Sequence, residues 1–303
     1  MSIRVENVSR LYGTQLALDD VSFEIGTGEI VGFLGPNGAG KSTMMKIITG
    51  YLPASSGKVW VKDEEISENS VDIRKKIGYL PEHNPLYTDM YIREYLEFVA
   101  GVYHLPNKKK RVAEMVEMTG LGPEQHKKIG ALSKGFRQRV GLAQALIHDP
   151  DVLILDEPAT GLDPNQLEEI RSLIRSISQN KTVMLSTHIM QEVEAVCNRV
   201  IIISHGKLVA DETSEQLRLN RSQSVQEVLV EFAGKIDSSL LNKIPGVLSM
   251  QSADGNRWFI TAEGAGDIRP ALFHFAVKNG LVILTLQENR RSLENVFREL
   301  TRE

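Results

Sequence analysis

The sequence predicts an α/β fold with a mainly parallel sheet, followed by a smaller α+β domain. Continuous apolar runs at residues 30–34, 152–155 and 182–185 are typical of strands that are buried on both faces. Each run is joined to a segment with helical spacing, which favours a parallel sheet. Beyond these runs a second pattern of shorter strands and helices begins. We therefore expect two domains, at residues 1–220 and 221–303.

Composition is typical of a globular protein with a full core. Hydrophobic residues make up 42% of the 303 residues and charged residues 24%. The formal net charge of -4 argues against nucleic acid as a partner, because that partner needs a basic surface. The single cysteine, Cys197, excludes an internal disulfide and is consistent with a reducing cytosol. No apolar run reaches the roughly 18 residues of a membrane span, so any membrane role would need a partner chain.

The first domain opens with short β segments, which precede the strand at residues 30–34. Residues 92–148 then have helical spacing, with turn signals at residues 105–107 and 120–123. This order predicts an N-terminal β subdomain, a parallel core sheet and a helical subdomain.

The second domain has the element order βαββαβ with one extra helix, which is ferredoxin-like. Ala253-Asp254-Gly255-Asn256 predicts the turn of a hairpin within it. The predicted elements are a strand at 228–232, a helix at 238–244, strands at 247–251 and 257–262, a helix at 268–279, a strand at 281–286 and a helix at 292–301.

A glycine-rich loop follows the first buried strand and precedes a helix. Gly35-Pro36-Asn37-Gly38-Ala39-Gly40-Lys41-Ser42 matches G-x-x-x-x-G-K-[ST] in full. Its glycines let backbone N–H groups point at a phosphate chain, and the helix adds its positive end. Lys41 brings a point charge to the β- and γ-phosphates, and the hydroxyl of Ser42 suits Mg²⁺. The motif predicts a nucleoside triphosphate site.

Acidic residues end the second buried strand. Asp156 and Glu157 follow Val152-Leu153-Ile154-Leu155, and ligands of open α/β sheets bind beyond the carboxyl ends of strands. Asp156 suits Mg²⁺, and Glu157 can polarise a water that attacks the γ-phosphate. A lone acid here would be read as a helix cap, but the pair beside the phosphate loop favours hydrolysis. His188 follows the third buried strand, where it could sense the γ-phosphate.

Taken in order, these motifs resemble the ABC ATPase family of P-loop NTPases over most of residues 1–215. Leu132-Ser133-Lys134-Gly135-Phe136-Arg137-Gln138-Arg139 resembles the signature motif of that family. Gly161-Leu162-Asp163-Pro164 resembles its D-loop, and His188 its switch histidine. The resemblance implies a head-to-tail dimer of two copies, with ATP sandwiched between them.

The resemblance also implies a role for each matching residue. Catalysis falls to Glu157 and His188, and Mg²⁺ to Ser42, Glu82 and Asp156. Ser133 and Gly135 would contact the nucleotide of the second copy, and Asp163 belongs to the D-loop. Tyr12 would stack on adenine. The implied ATP-binding residues are Tyr12, Gly35, Pro36, Asn37, Gly38, Ala39, Gly40, Lys41, Ser42 and Thr43.

This sequence departs from the family pattern at two places. Lys134 and Phe136 stand in the signature where glycine and glutamine are usual, while Ser133 and Gly135 are retained. Glu82 stands where the family usually has glutamine. Because a charged carboxylate binds Mg²⁺ more strongly than an amide, Glu82 predicts altered metal dependence.

The C-terminal domain and the ending at residues 292–300 are similar to ATPases of the ABC-2 exporter type. Residues 81–91 resemble gliding-motility-associated ATP-binding subunits. The same loop could also be simply a docking surface for the coupling helix of a membrane partner, and the two interpretations are compatible. The expected function is ATP hydrolysis that drives a separate integral membrane permease, at the cytoplasmic face of the cell membrane. The alternative is a soluble ABC ATPase that acts on a protein or ribosome partner.

Overall fold

In the computed structural model the chain folds into two units. The first comprises Met1–Thr213, and the second lies within Ser214–Arg302. The predicted domain boundary near residue 220 falls outside the described residues and stays a prediction. The described residues are 1–67, 70–187, 189–213, 215–217, 225–236, 241, 244–263, 266–288 and 293–301.

Strands of the first unit form two sheets. One is antiparallel, with the order β2-β1-β4-β5, and the other has the order β10-β9-β3-β8-β7-β6. In the second sheet every neighbouring pair is parallel except β10 with β9. The strands are β1 (Ile3–Tyr12), β2 (Gln15–Ile25), β3 (Ile30–Leu34), β4 (Ser56–Val61), β5 (Glu64–Glu65), β6 (Ile77–Leu80), β7 (Val152–Asp156), β8 (Thr182–Ser186), β9 (Arg199–Ser204) and β10 (Lys207–Thr213).

The centre of the larger sheet is completely buried. Every residue of β3, β7 and β8 is shielded from solvent, which is why these strands are apolar runs rather than alternating sequences. The register pairs Asp156 with Ser186, so β7 and β8 end at the same level. The predicted parallel core sheet is confirmed, and its carboxyl ends meet at one edge.

Helices of the first unit cover this sheet and form the helical subdomain. The helices α3, α4 and α5 contact one another, and the predicted turns separate them. No helix in the described part of the chain is long and apolar enough to cross a membrane. The helices are α1 (Lys41–Ile48), α2 (Val71–Arg74), α3 (Ile92–Val102), α4 (Lys108–Met118), α5 (Lys134–Leu146), α6 (Pro164–Ser178) and α7 (Met190–Val196).

The second unit contains an antiparallel sheet with the order β12-β13-β11-β14, the order of a ferredoxin-like fold. The predicted hairpin is present, and the Asp254 carboxylate accepts the backbone N–H of Arg257 at 2.9 Å. Most of the helix predicted at 238–244 lies outside the described residues. The elements are β11 (Val225–Phe232), β12 (Val247–Ser252), β13 (Arg257–Glu263), α8 (Arg269–Lys278), β14 (Ile283–Glu288) and α9 (Leu293–Thr301).

A histidine that follows α5 is held in an apolar contact. The His148 ring stacks on Tyr103, with 4.0 Å between ring centroids and 3° between planes. Its Nε2 donates to the Ile77 carbonyl at 3.1 Å, whereas Nδ1 is buried with no hydrogen-bond partner among the described residues. The pKa of His148 is lowered to about 4, chiefly by burial and also by the positive charges of Lys181 and Arg111, while the Ile77 carbonyl and Asp149 act in the opposite direction. The fold therefore holds the neutral imidazole.

This geometry predicts a stability loss in mild acid. Above its unfolded pKa of about 6.5 the histidine is neutral in both states, whereas between that value and about pH 4 only the unfolded chain binds a proton. We expect the free energy of unfolding to fall by about 3 kcal/mol over this window, relative to His148→Phe. Urea unfolding at several pH values checks the prediction, with the exposed His126→Phe as control. Parallel curves for wild type and His148→Phe would contradict it.

Candidate nucleotide site

The phosphate loop lies between β3 and α1, and its glycines fill places that no side chain can take. Gly40 has φ +107°, and a Cβ there would lie 2.6 Å from the Ala17 carbonyl oxygen. A Cβ on Gly35 would overlap the Ile203 carbonyl oxygen. The loop is thus packed against β2 and β9, which fixes the direction of the backbone N–H groups at the start of α1.

Lys41 begins α1 and is buried within the loop. Its Nζ donates to the carbonyl oxygens of Gly35 at 2.8 Å and Pro36 at 3.2 Å. Burial lowers the pKa of Lys41, and the negative charges of Glu157, Asp156 and Glu82 partly offset that effect. The lysine therefore lies in the field of the same carboxylates that the sequence assigns to metal binding and hydrolysis.

Asp156 and Glu157 are both buried at the carboxyl end of β7. The Ser186 hydroxyl, at the end of β8, donates to Asp156 Oδ1 at 2.5 Å. The Glu157 N–H donates to the Ser186 carbonyl oxygen at 3.1 Å, and Thr160 Oγ1 donates to Glu157 Oε2 at 2.9 Å. Glu157 adopts φ +53°, which turns the chain sharply away from the strand. Local hydroxyl groups thus orient both carboxylates.

Ser186 and Thr160 are the positioning residues that the sequence prediction missed. Thr160 lies three residues beyond Glu157, within reach of its carboxylate, which is a signal that the sequence carries. Ser186 lies 30 residues beyond Asp156, and only the pairing of β7 with β8 brings the two together. The signal for Ser186 is that it ends a buried strand, because the carboxyl ends of neighbouring parallel strands share one edge of the sheet.

A cavity of about 590 Å³ joins most of the predicted nucleotide-binding residues. Gln15, Ala17 and Thr160 line it without having been predicted. Tyr12 stands at 45% exposure, with the Arg10 guanidinium 5.0 Å from its ring centroid. The predicted residues that line the cavity are Tyr12, Asn37, Gly38, Gly40, Lys41, Ser42, Thr43, Glu82, Asp156 and Glu157.

Other predicted residues do not line this cavity. Gly35, Pro36 and Ala39 shape the loop from behind. Ser133 caps α5, where its hydroxyl accepts the Phe136 N–H at 3.4 Å, and Asp163 caps α6, where its carboxylate accepts the Gln166 N–H at 2.9 Å.

Two of the predicted roles need separate mention. Gly135 is buried in the first turn of α5, also outside the cavity lining. His188 lies outside the described residues, so its role stays a prediction.

The cavity offers the donor set that Mg²⁺ prefers. The Ser42 hydroxyl and the carboxylates of Glu82 and Asp156 are hard oxygen ligands that line the same space. No group of three or more histidine, cysteine, aspartate or glutamate side chains that could hold a metal occurs among the described residues. A hydroxyl and two carboxylates leave the remaining ligand positions of a bound Mg²⁺ to phosphate and water, which is how Mg²⁺ is usually held.

Comparison with known proteins identifies related ATP-binding subunits. The chain is 32% identical to the uncharacterized ABC transporter ATP-binding protein YxlF of Bacillus subtilis (strain 168), over 97% of this chain and 98% of that protein. It is 32% identical to the bacitracin transport ATP-binding protein BcrA of Bacillus licheniformis, over 98% and 96%. With the Nod factor export ATP-binding protein I of Rhizobium sp. (strain N33) the identity is 31%, over 99% and 97%.

Solved structures of ATP-binding subunits are also similar to this chain. The dimeric ATP-binding cassette MJ0796, in a post-hydrolysis state bound to ADP and Pi, is 28% identical, with a TM-score of 0.65 over 70% of this chain and 98% of that one. The structure of cbiO1 from Clostridium perfringens is 29% identical, with a TM-score of 0.66 over 72% and 91%.

Two described families match within the first unit. The family described as AAA domain, putative AbiEii toxin, Type IV TA system, matches residues 128–194. The family described as ABC transporter matches residues 18–160, which include the phosphate loop, the signature segment and the acid pair. With relatives of this identity over nearly its whole length, the chain belongs to the family of ABC transporter ATP-binding proteins.

Proposed function

We propose that this chain is the ATP-hydrolysing subunit of an ABC exporter, which works as a head-to-tail dimer on a separate membrane permease. The observation that carries the proposal is the single cavity that Lys41, Ser42, Asp156 and Glu157 share. Relatives named for bacitracin transport and Nod factor export support the exporter assignment. Cassettes of similar structure that are dimeric support the dimer.

In the proposed cycle Tyr12 stacks on adenine, and the loop at residues 35–43 wraps the phosphates. Lys41 neutralises charge at the β- and γ-phosphates. Ser42, Glu82 and Asp156 would hold Mg²⁺, which when bound supplies further neutralisation of the phosphate oxygens. The phosphate loop after β3 and the acidic residues after β7 would both approach the nucleotide from the edge of the sheet where these two strands end.

Glu157 is the proposed general base. Its carboxylate is buried and accepts a hydrogen bond from the Thr160 hydroxyl at 2.9 Å, which restricts its orientation for the activation of an attacking water. His188 is proposed to sense the γ-phosphate. Ser133, Gly135 and Asp163 lie outside the cavity of their own chain, which supports their proposed contact with the nucleotide of the second copy.

An exposed aromatic patch supports the proposed contact with a permease. Tyr87, Phe98 and Val102 are 54%, 47% and 61% exposed, and the rings of Tyr87 and Phe98 lie 5.7 Å apart. Tyr87 belongs to the loop at residues 81–91, which follows β6 and carries Glu82. A partner bound here would touch the segment that reaches the nucleotide cavity. Through that partner the chain would be cytoplasmic and peripheral at the inner face of the cell membrane. A narrower proposal, based on the same loop, is a gliding-motility-associated transporter.

We expect Glu157→Gln to accumulate an ATP-bound dimer, because ATP still binds while the water is no longer activated. Size-exclusion chromatography with light scattering, with and without ATP and Mg²⁺, measures the mass. Lys41→Ala in the same background is the control and should stay monomeric, since it loses the phosphate contact. A Glu157→Gln protein that binds ATP but remains a monomer would rule out the sandwich.

Glu82→Gln should retain ATPase activity and change its metal dependence. The Glu82 carboxylate is half-exposed and lines the nucleotide cavity, so its charge can strengthen metal binding there without a structural role. In Glu82→Gln the Mg²⁺ or Mn²⁺ concentration that gives half-maximal phosphate release should be higher than in wild type. Identical Mg²⁺ and Mn²⁺ profiles in wild type and Glu82→Gln would show that Glu82 is not a ligand.

Capture of the tagged chain from detergent-solubilised membranes of its own cells should recover an integral membrane protein. Phe98→Ser should reduce recovery with ATPase activity retained, whereas Val71→Ser, at 60% exposure on α2, should not. Recovery of ribosomal particles without any membrane protein would favour the soluble alternative.

Deletion of the gene tests the narrower proposal of a gliding-motility-associated transporter. That proposal fails if cells without the gene still glide.

A further inference from the structure

Lys134 and Phe136 replace the usual residues of the signature, and neither lines the nucleotide cavity of its own chain. Both lie in the first turn of α5. Lys134 contacts the segment that runs from the D-loop into α6 directly, whereas Phe136 contacts Arg139, which in turn reaches α6. These contacts join two segments whose contacting residues are about 30 positions apart in the sequence.

The side chain of Lys134 lies over Gly161 of the D-loop. A Cβ on Gly161 would lie 3.2 Å from Lys134 Cε and 3.3 Å from Cδ, and it would overlap Nζ. Gly161 has φ +73°, so its turn presents a flat backbone surface to the lysine stem. The described residues include no hydrogen-bond or ion-pair partner for the Lys134 ammonium. Because Nζ is the Lys134 atom nearest to that point, the ammonium and the end of the stem both contact Gly161.

Two further sets of contacts connect the start of α5 with α6. The Gln166 side chain fills the space beside Gly135, with its Cδ 2.7 Å from where a Cβ would be. The Phe136 ring lies 5.7 Å from the Arg139 guanidinium, which forms an ion pair with Glu169. Arg139 also donates to the Thr119 carbonyl oxygen at 3.1 Å. The beginning of α5 is thereby fastened to the D-loop and to the first two turns of α6.

We propose that Lys134 and Phe136 are positioning residues that fix the spacing between Ser133 and Asp163. This inference rests on the proposed sandwich, in which both segments meet the nucleotide of the second copy together. Segments held at a fixed spacing before association lose less conformational freedom when the dimer forms. In this proposal Lys134 and Phe136, the two departures from the usual signature, hold the start of α5 against the D-loop and α6.

The test compares Lys134→Ala with Lys134→Met in the Glu157→Gln background. Alanine removes the stem and methionine keeps it without the charge. We expect Lys134→Ala to raise the ATP concentration for half-maximal dimer formation about tenfold, and Lys134→Met to change it less than about twofold. Phe136→Ala should shift the midpoint in the same direction as Lys134→Ala. Lys108→Ala, also at the first position of a helix, is the matched control and should change nothing.

Two readouts separate positioning from general destabilisation. Binding of a fluorescent ATP analogue to the monomer should not change, because Lys134 lies outside the cavity. The melting temperature should not change either, because Lys134 is an exposed side chain at the start of a helix. Amide hydrogen exchange at residues 159–163 of the nucleotide-free monomer should be faster in Lys134→Ala than in Lys134→Met.

Each failure has its own signature. If the Glu157→Gln parent itself stays monomeric, the proposed sandwich falls and the positioning role with it. If the parent dimerises and Lys134→Ala behaves like it, the sandwich stands and only this inference is wrong. An equal loss for Lys134→Met and Lys134→Ala would assign the effect to charge and overturn the packed link.

Discussion

The buried hydrogen bond between Ser186 and Asp156 is the interaction on which the site depends. An ionised carboxylate that is shielded from water is costly unless it is hydrogen-bonded or paired, and this one is held by a hydroxyl at 2.5 Å and faces the positive charge of Lys41. The bond also ties the end of β7 to the end of β8. One contact therefore orients the proposed metal ligand Asp156 and links the ends of two strands of the main sheet.

The same edge of the sheet concentrates unusual backbone geometry. Gly40 occupies the left-handed region at no steric cost, whereas Glu157 occupies it as a residue with a Cβ, which costs on the order of 1 kcal/mol. The N–H of Glu157 is nevertheless hydrogen-bonded to Ser186, and its carboxylate to Thr160. The surrounding contacts offset the strain and keep the proposed base in one orientation.

Helix α5 does not line the nucleotide cavity, but it contacts a loop that does. The helix α5 joins the signature segment to the helical subdomain, since Gln144 accepts from Tyr95 at 2.7 Å and from Asn84 at 3.3 Å. Asn84 belongs to the loop that carries Glu82. One helix thus contacts the loop beside the nucleotide and, through its first turn, the D-loop. A rigid helix with contacts at both ends is a physical route that connects the loop beside the nucleotide cavity with the D-loop.

What the sequence determined by itself was the set of local motifs. Strand, glycine loop and helix at residues 30–48, and the acid pair after an apolar strand, are encoded by residues adjacent in the chain. Their backbone requirements can therefore be read without tertiary contacts. Only the tertiary structure decided that Ser186 holds Asp156, that Tyr12 from the N-terminal sheet reaches the cavity, and that Lys134 packs on Gly161. These depend on strand order, register and side-chain packing between distant segments, which no local spacing specifies.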